Sequence, residues 1–202
     1  MAGLDPAMTR KAVMTHGAFV FFALAVMSSK ASAQLACAVT ATPVQFDTIR
    51  GTETGTHDAR GSITVTCTGS QGGSIAACVE LGHGAGAGLP GQRVLSPPKG
   101  GHPLEVQIFQ DPALKRPWGA VVMGQAAMLQ RTGDGPMSAT TYLRLYMPQR
   151  GSIPGSYTAQ FPVTLRYGAV TGNAANCNAL AAAAPWPNPH KAAAFPIPLR
   201  KR

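Results

Sequence analysis

The sequence predicts an all-β protein, an antiparallel sandwich, on three observations. Short segments alternate apolar and polar residues with period two. Gly, Pro, Asn and Asp punctuate the stretches between them, and nothing after residue 33 carries a sustained helical apolar stripe. Residues 35–42 read as a first strand. Residues 61–68 (GSITVTCT) are a second, with Ile63, Val65 and Cys67 on one face. Residues 74–81 (SIAACVEL) are a third, followed by a glycine-rich stretch, GHGAGAGLPGQR, that reads as a long loop. Residues 104–109 set Leu104, Val106 and Ile108 against Glu105 and Gln107, and residues 141–147 set Leu143, Leu145 and Met147 against Tyr142, Arg144 and Tyr146. The clearest strand is 157–167, with Tyr157, Phe161, Val163, Leu165 and Tyr167 facing one way.

Pro162 lies in the middle of that last strand. Proline cannot donate to a ladder, which marks the strand as an edge or as paired on one side. A long apolar edge invites association unless something pairs with it. Past Val170 the composition changes: residues 179–184 are almost pure alanine, and PWPNPHK and FPIPLRKR are proline-rich. Residues 171–202 therefore read as an irregular tail, tied back only by Cys177.

The first 33 residues carry the three parts of a secretory signal. Arg10 and Lys11 supply positive charge, residues 18–27 (AFVFFALAVM) are an apolar core, and Ala31-Ser32-Ala33 is a small-x-small cleavage site. The apolar run is well short of the roughly 20 residues needed to span a bilayer. The mature chain is expected to start at Gln34, exported, with no integral membrane segment, and either soluble or assembled at the cell surface. Of 17 basic and 8 acidic residues, removing Arg10, Lys11, Lys30 and Asp5 leaves 14 against 7. Lys191, Arg200, Lys201 and Arg202 are in the tail, so the body is only mildly basic. Its basic residues are scattered without interleaved aromatics, which argues against a nucleic-acid partner.

Cys37, Cys67, Cys78 and Cys177 are all in the mature region, and an even count in an exported chain points to disulfides. Spacing leaves all three connectivities open. There is no C-x-x-C and no cysteine with a histidine at ligand spacing, so a metal site is not expected. His57, His83, His102 and His190 sit in no base or ligand motif, and the carboxylates form no acid–base pair. The Gly-Ala-Gly repeat lacks the Lys-Ser/Thr and the helix of a phosphate cradle. These absences predict a chain that is not an enzyme and takes no cofactor.

Five motifs in order resemble the spore coat protein U domain family, shared by pilin subunits of archaic chaperone–usher pili. They are CAVTATPVQFD from Cys37, GSITVTCT from Gly61, CVELGHGAGAGLPGQR from Cys78, LEVQIFQDPALKRPWG from Leu104 and TYLRLYMPQRGSIPGSYTAQFPVTLRY from Thr141. The resemblance covers roughly residues 35–168. It implies an incomplete immunoglobulin-like antiparallel β-sandwich that lacks its last strand, here with an irregular C-terminal tail. It implies as partners a periplasmic pilus chaperone, an outer-membrane usher and neighbouring pilin subunits, acting by β-strand addition. The donor-strand groove then falls on Tyr157, Phe161, Val163, Leu165 and Tyr167. Cys37–Cys67 matches the family's disulfide between its first two strands, and Cys78–Cys177 an extra pair that tethers the C-terminal end.

One departure stands out. A shaft subunit needs a donor segment of about ten residues, and only Gln34, Leu35 and Ala36 precede Cys37. The domain is thus expected to accept a strand and to have none to give, as in a tip-type receptor domain. Phe195, Ile197 and Leu199 alternate like the start of a donor segment, so the tail also reads as a truncated linker to a lost second domain. Pro196 and Pro198 argue against the tail closing its own groove. For an adhesive surface, loop residues Leu89, Val94 and Met137 are the candidates. The alternatives are a secreted spore-coat or matrix protein outside pili, and a secreted carbohydrate-binding β-sandwich module.

Overall fold

The structure, a computed structural model, describes residues 34–50, 52–83, 93–171, 176–182 and 190–201. The signal segment, Leu89 and most of the glycine-rich loop lie outside them. The elements are β1 (Ala36–Ala41), β2 (Gly55–Thr68), β3 (Ser74–Leu81), β4 (Val94–Leu95), β5 (Leu104–Phe109), β6 (Ala127–Thr132), β7 (Gly135–Met147), β8 (Gly155–Val170), α1 (Cys177–Ala182) and β9 (His190–Lys201). A 3-10 turn, Val121–Met123, precedes β6.

Each segment read from the sequence is a strand, and three of the six, β2, β7 and β8, run further than the alternation showed. β4 has two residues, too few for a period. In β6 only Ala127 is buried, so its apolar pattern is faint.

Two antiparallel sheets form the sandwich, one ordered β1-β2-β7-β5-β4 and the other β6-β3-β8-β9. Ile63 and Val65 of β2, Leu143 and Leu145 of β7, and Val106 and Ile108 of β5 share one core with Val79 and Leu81 of β3 and Phe161 and Val163 of β8. Along β1, β5, β7 and β8 every second residue points inward, which is what joins the two layers. Trp118 is fully buried, and its Nε1 donates to the Val79 carbonyl at 2.9 Å.

Cys37 pairs directly with Cys67 in the β1–β2 ladder, and the two are disulfide-bonded across a Cα separation of 4.1 Å. The second disulfide joins Cys78 of β3 to Cys177 at the start of α1. Ala76 and Cys78 face away from the main core and are covered by Leu180 of α1. Small side chains on that face of β3 let a short helix lie close against it.

The tail is where the structure departs from expectation. Residues 190–201 form β9, antiparallel to β8 from Gly155↔Lys201 to Leu165↔His190. The C-terminal end is not irregular there, and Cys177 is not its only tie. β8 is also not an edge strand, since it lies between β3 and β9. Val94 and Met137, expected on exposed loops, are instead buried in β4 and β7 at 8% and 7% exposure. They cannot form a contact patch.

Candidate strand-accepting site

The expected groove residues lie along β8. Tyr157, Phe161, Val163 and Leu165 are buried and Tyr167 is half-buried, on one face as the period-two pattern requires. β9 pairs with the first four positions, opposite Leu199, Phe195, Ala192 and His190. Tyr167 lies beyond the last of these pairs. The structure thus brings the predicted residues together but puts a strand of the same chain beside them.

Tyr157 has a second task. Its hydroxyl donates to the Ile153 carbonyl at 3.0 Å and accepts from the Ile153 amide at 2.9 Å. This tyrosine corner closes the turn into β8 and fixes where the strand starts.

Backbone geometry explains why two prolines do not keep β9 away. The Thr158 carbonyl accepts from Ser96 N at 2.7 Å, and Thr158 N donates to the Ser96 carbonyl at 3.1 Å. Both groups of Thr158 therefore point away from β9. Directions alternate along a strand, so Tyr157, Ala159 and Phe161 turn their backbone groups toward β9. The pairs Thr158↔Pro198 and Gln160↔Pro196 are then the non-hydrogen-bonded ones. On the far side of β9, the Arg200 carbonyl accepts from Ile49 N at 3.1 Å, which places that parity outward. Pro196 and Pro198 lack an N–H where β8 needs none. The expectation that they bar the tail from its own groove is corrected on this ground: their spacing of two puts both on the outer edge.

Pro162 is accommodated differently. Its carbonyl accepts from Gly82 N at 2.8 Å, so an ordinary residue there would return an N–H to the Gly82 carbonyl. Arg93 supplies the missing donor: its Nε reaches the Gly82 carbonyl at 3.1 Å and its Nη2 the Leu81 carbonyl at 2.8 Å. The guanidinium also lies over the Phe161 ring, 5.9 Å from its centroid. Only 6% of Arg93 is exposed, and burial lowers its pKa to about 10, so it stays charged at neutral pH. A β-carbon at Gly82 would fall 2.6 Å from Pro162 Cγ, so glycine is needed where the two backbones meet. On the β9 side the ladder shifts register between Pro162 and Val163, leaving Ala193 as the extra residue of a bulge.

Lys201 anchors the end of β9. It is 5% exposed, and its Nζ donates to the Ser152 carbonyl at 3.1 Å and to the Ser152 hydroxyl. Leu199, 2% exposed, belongs to the main core. Sequence reasoning named neither Arg93 nor Lys201 as a site residue. Arg93 closes the third resemblance motif, but only its contacts reveal its task. Glu80 and Arg166, on β3 and β8, form a part-buried ion pair at 2.6 Å that ties the middle of this sheet.

The Spore Coat Protein U domain matches residues 23–164. The chain belongs to this family. It is a structural protein, not an enzyme. The Spore Coat Protein U match ends inside β8, so α1 and β9 lie beyond it. No curated protein matches the sequence. Among solved structures, the chain is similar to the CupB6 tip adhesin from Pseudomonas aeruginosa, at 10% identity and a TM-score of 0.39 over 78% of this chain and 39% of that one. It is similar to AggA, the major subunit of aggregative adherence fimbriae type I from Escherichia coli, at 15% identity and 0.37 over 84% and 96%. It is also similar to CfaE, the adhesive subunit of CFA/I fimbria of enterotoxigenic Escherichia coli, at 11% and 0.33 over 79% and 48%. The chain thus spans about two fifths of the tip adhesin it matches.

Among the described residues no group of three His, Cys, Asp or Glu side chains is placed to hold a metal ion. Among them, too, no helix is long and apolar enough to cross a membrane.

Proposed function

We propose that this chain is a pilus subunit of the terminal, tip type, whose strand-accepting edge is filled in cis by β9. Membership of the Spore Coat Protein U family supports a pilus subunit. The observation that carries the finer reading is the antiparallel β8–β9 ladder over residues that a partner's strand would otherwise cover. A tethered strand acts at an effective concentration in the mM range, so a partner strand at μM levels competes at a disadvantage of about a thousandfold. An occupied edge does not readily extend a fibre, which suits a subunit at its end. In this reading a chaperone binds before β9 docks, the usher delivers the subunit, and a neighbouring subunit attaches elsewhere. Export through the periplasm to the pilus follows from the same assignment.

The test is periplasmic expression of the full chain, and of a chain stopped before His190, in a host without fimbrial chaperones. The full chain is expected to accumulate as a folded monomer. The shortened chain is expected to aggregate and to be rescued by a synthetic peptide of residues 190–201. A shortened chain that stays folded and monomeric unaided would remove the basis for the reading.

A further inference from the structure

The outer face of the five-stranded sheet carries a second feature, independent of β9. A cavity of about 340 Å³ is lined by Asp58, Ala59 and Arg60 of β2, Tyr142 and Leu143 of β7, and Pro112 and Leu114 of the turn after β5. Arg60 and Tyr142 are direct cross-strand partners, and the Arg60 guanidinium lies over the ring, 5.5 Å from its centroid. Asp58 lies directly opposite Arg144, which holds both carboxylate oxygens at 2.7 and 2.6 Å. Asp58 thus lies between two guanidiniums, bonded to Arg144 and within electrostatic reach of Arg60, and the cavity rim carries one positive charge in excess. Arg60 is exposed, and among the described residues no carboxylate is bonded to it.

The far wall is built firmly. The Asp111 carboxylate accepts from the amides of Lys115 and Arg116 at 3.3 and 2.6 Å, bracing the turn. Leu114 in that turn holds a φ of 54°, a conformation that non-glycine residues adopt rarely and at a cost.

We infer that this cavity binds a carboxylate-bearing sugar residue, a uronate or a sialate. A ring stacked under the guanidinium holds it in place with its in-plane N–H donors free, the geometry that takes a carboxylate through two parallel hydrogen bonds. The volume is at the lower end of small-molecule sites, suited to one or two sugar rings. Pro112 and Leu114 supply apolar wall for the C–H face of a pyranose, while the Asp58 carboxylate and the Tyr142 hydroxyl are partners for its hydroxyls. A simple acidic peptide side chain would leave those polar groups and the apolar wall unused.

The experiment is an amide-shift NMR titration of protein purified from the periplasm after expression of the full chain. The probes are methyl glucuronide and the methyl glycoside of N-acetylneuraminate, with methyl glucoside as the neutral control and an Asp-Glu dipeptide as the peptide control. At least one acidic sugar is expected to bind with a Kd of about 1 mM and to shift Asp58, Arg60, Leu114 and Tyr142. The neutral glucoside and the dipeptide are each expected to bind at least about tenfold more weakly, because charge alone or ring alone makes half the contacts. Arg60→Ala is expected to lose about tenfold or more, with Arg60→Lys intermediate because a point charge does not replace the fork. Arg60→Gln serves as the second neutral variant. Equal binding of acidic and neutral sugars, no binding of either acidic sugar, tighter binding of the dipeptide, or undiminished binding by folded Arg60→Ala and Arg60→Gln would each overturn the inference.

Discussion

Replacing Leu199 with alanine separates a docked β9 from a loose tail. Leu199 is 2% exposed and pairs with Tyr157, so its side chain is part of the core. The substitution removes three carbons, roughly 2.4 kcal/mol at about 0.8 kcal/mol each. The cavity left behind adds to this, and buried Leu→Ala changes span about 2–5 kcal/mol. An outer strand relaxes inward more readily than a central one, which places the expected loss at about 2–3 kcal/mol. For a domain of this size that lowers Tm by roughly 5–10 °C. Urea unfolding followed by tryptophan fluorescence, with both disulfides intact, measures it. A loss within about 0.5 kcal/mol, the range of exposed sites, would refute the docking of β9. The double change Pro196→Ala, Pro198→Ala adds a readout of sign. With both N–H positions facing outward, alanine forms no new bond to β8 and loses about 0.4–1 kcal/mol per proline through unfolded-chain entropy. Stabilisation instead would mean that the prolines sit in the hydrogen-bonded register.

Two further predictions test the neighbouring chemistry. Arg93→Met leaves the Leu81 and Gly82 carbonyls without their side-chain donors and is expected to cost about 2–4 kcal/mol. Adding Pro162→Ala returns an N–H opposite Gly82, so the pair is expected to be milder than the sum by about 1 kcal/mol in a double-mutant cycle; strict additivity would refute the compensation. The hydrogen bond from Arg144 holds the Asp58 carboxyl below its usual 3.8, so their pairing is intact above that value and is lost as pH falls through the lowered pKa. Arg144→Gln is expected to raise the Asp58 pKa toward the ordinary value, as followed by carboxyl NMR; an unmoved titration would discount the pairing.

Much of the fold was legible because period-two alternation is enforced by burial on one face. Tyr157, Phe161, Val163 and Leu165 had to share a face whatever lay beside them. β4 and β6 were not legible, since one is too short to show a period and the other buries a single residue. Arg93 was visible as a residue but not as a donor. Its partner is a carbonyl left unpaired by a proline 69 positions later, and no local pattern encodes such a distance.

The pairing of β8 divides most clearly between the two levels. From the sequence alone came six of the nine strands, the family and the expectation that something covers 157–167. Each follows from local composition and alternation, which physics applies one segment at a time. Tertiary structure alone decided that the cover is residues 190–201 of the same chain. Proline content argued against it, but what matters in a ladder is the direction in which each missing N–H would have pointed. That direction is set by the register against β8, anchored by Thr158 on Ser96 and Arg200 on Ile49, and register exists only once the strands have met.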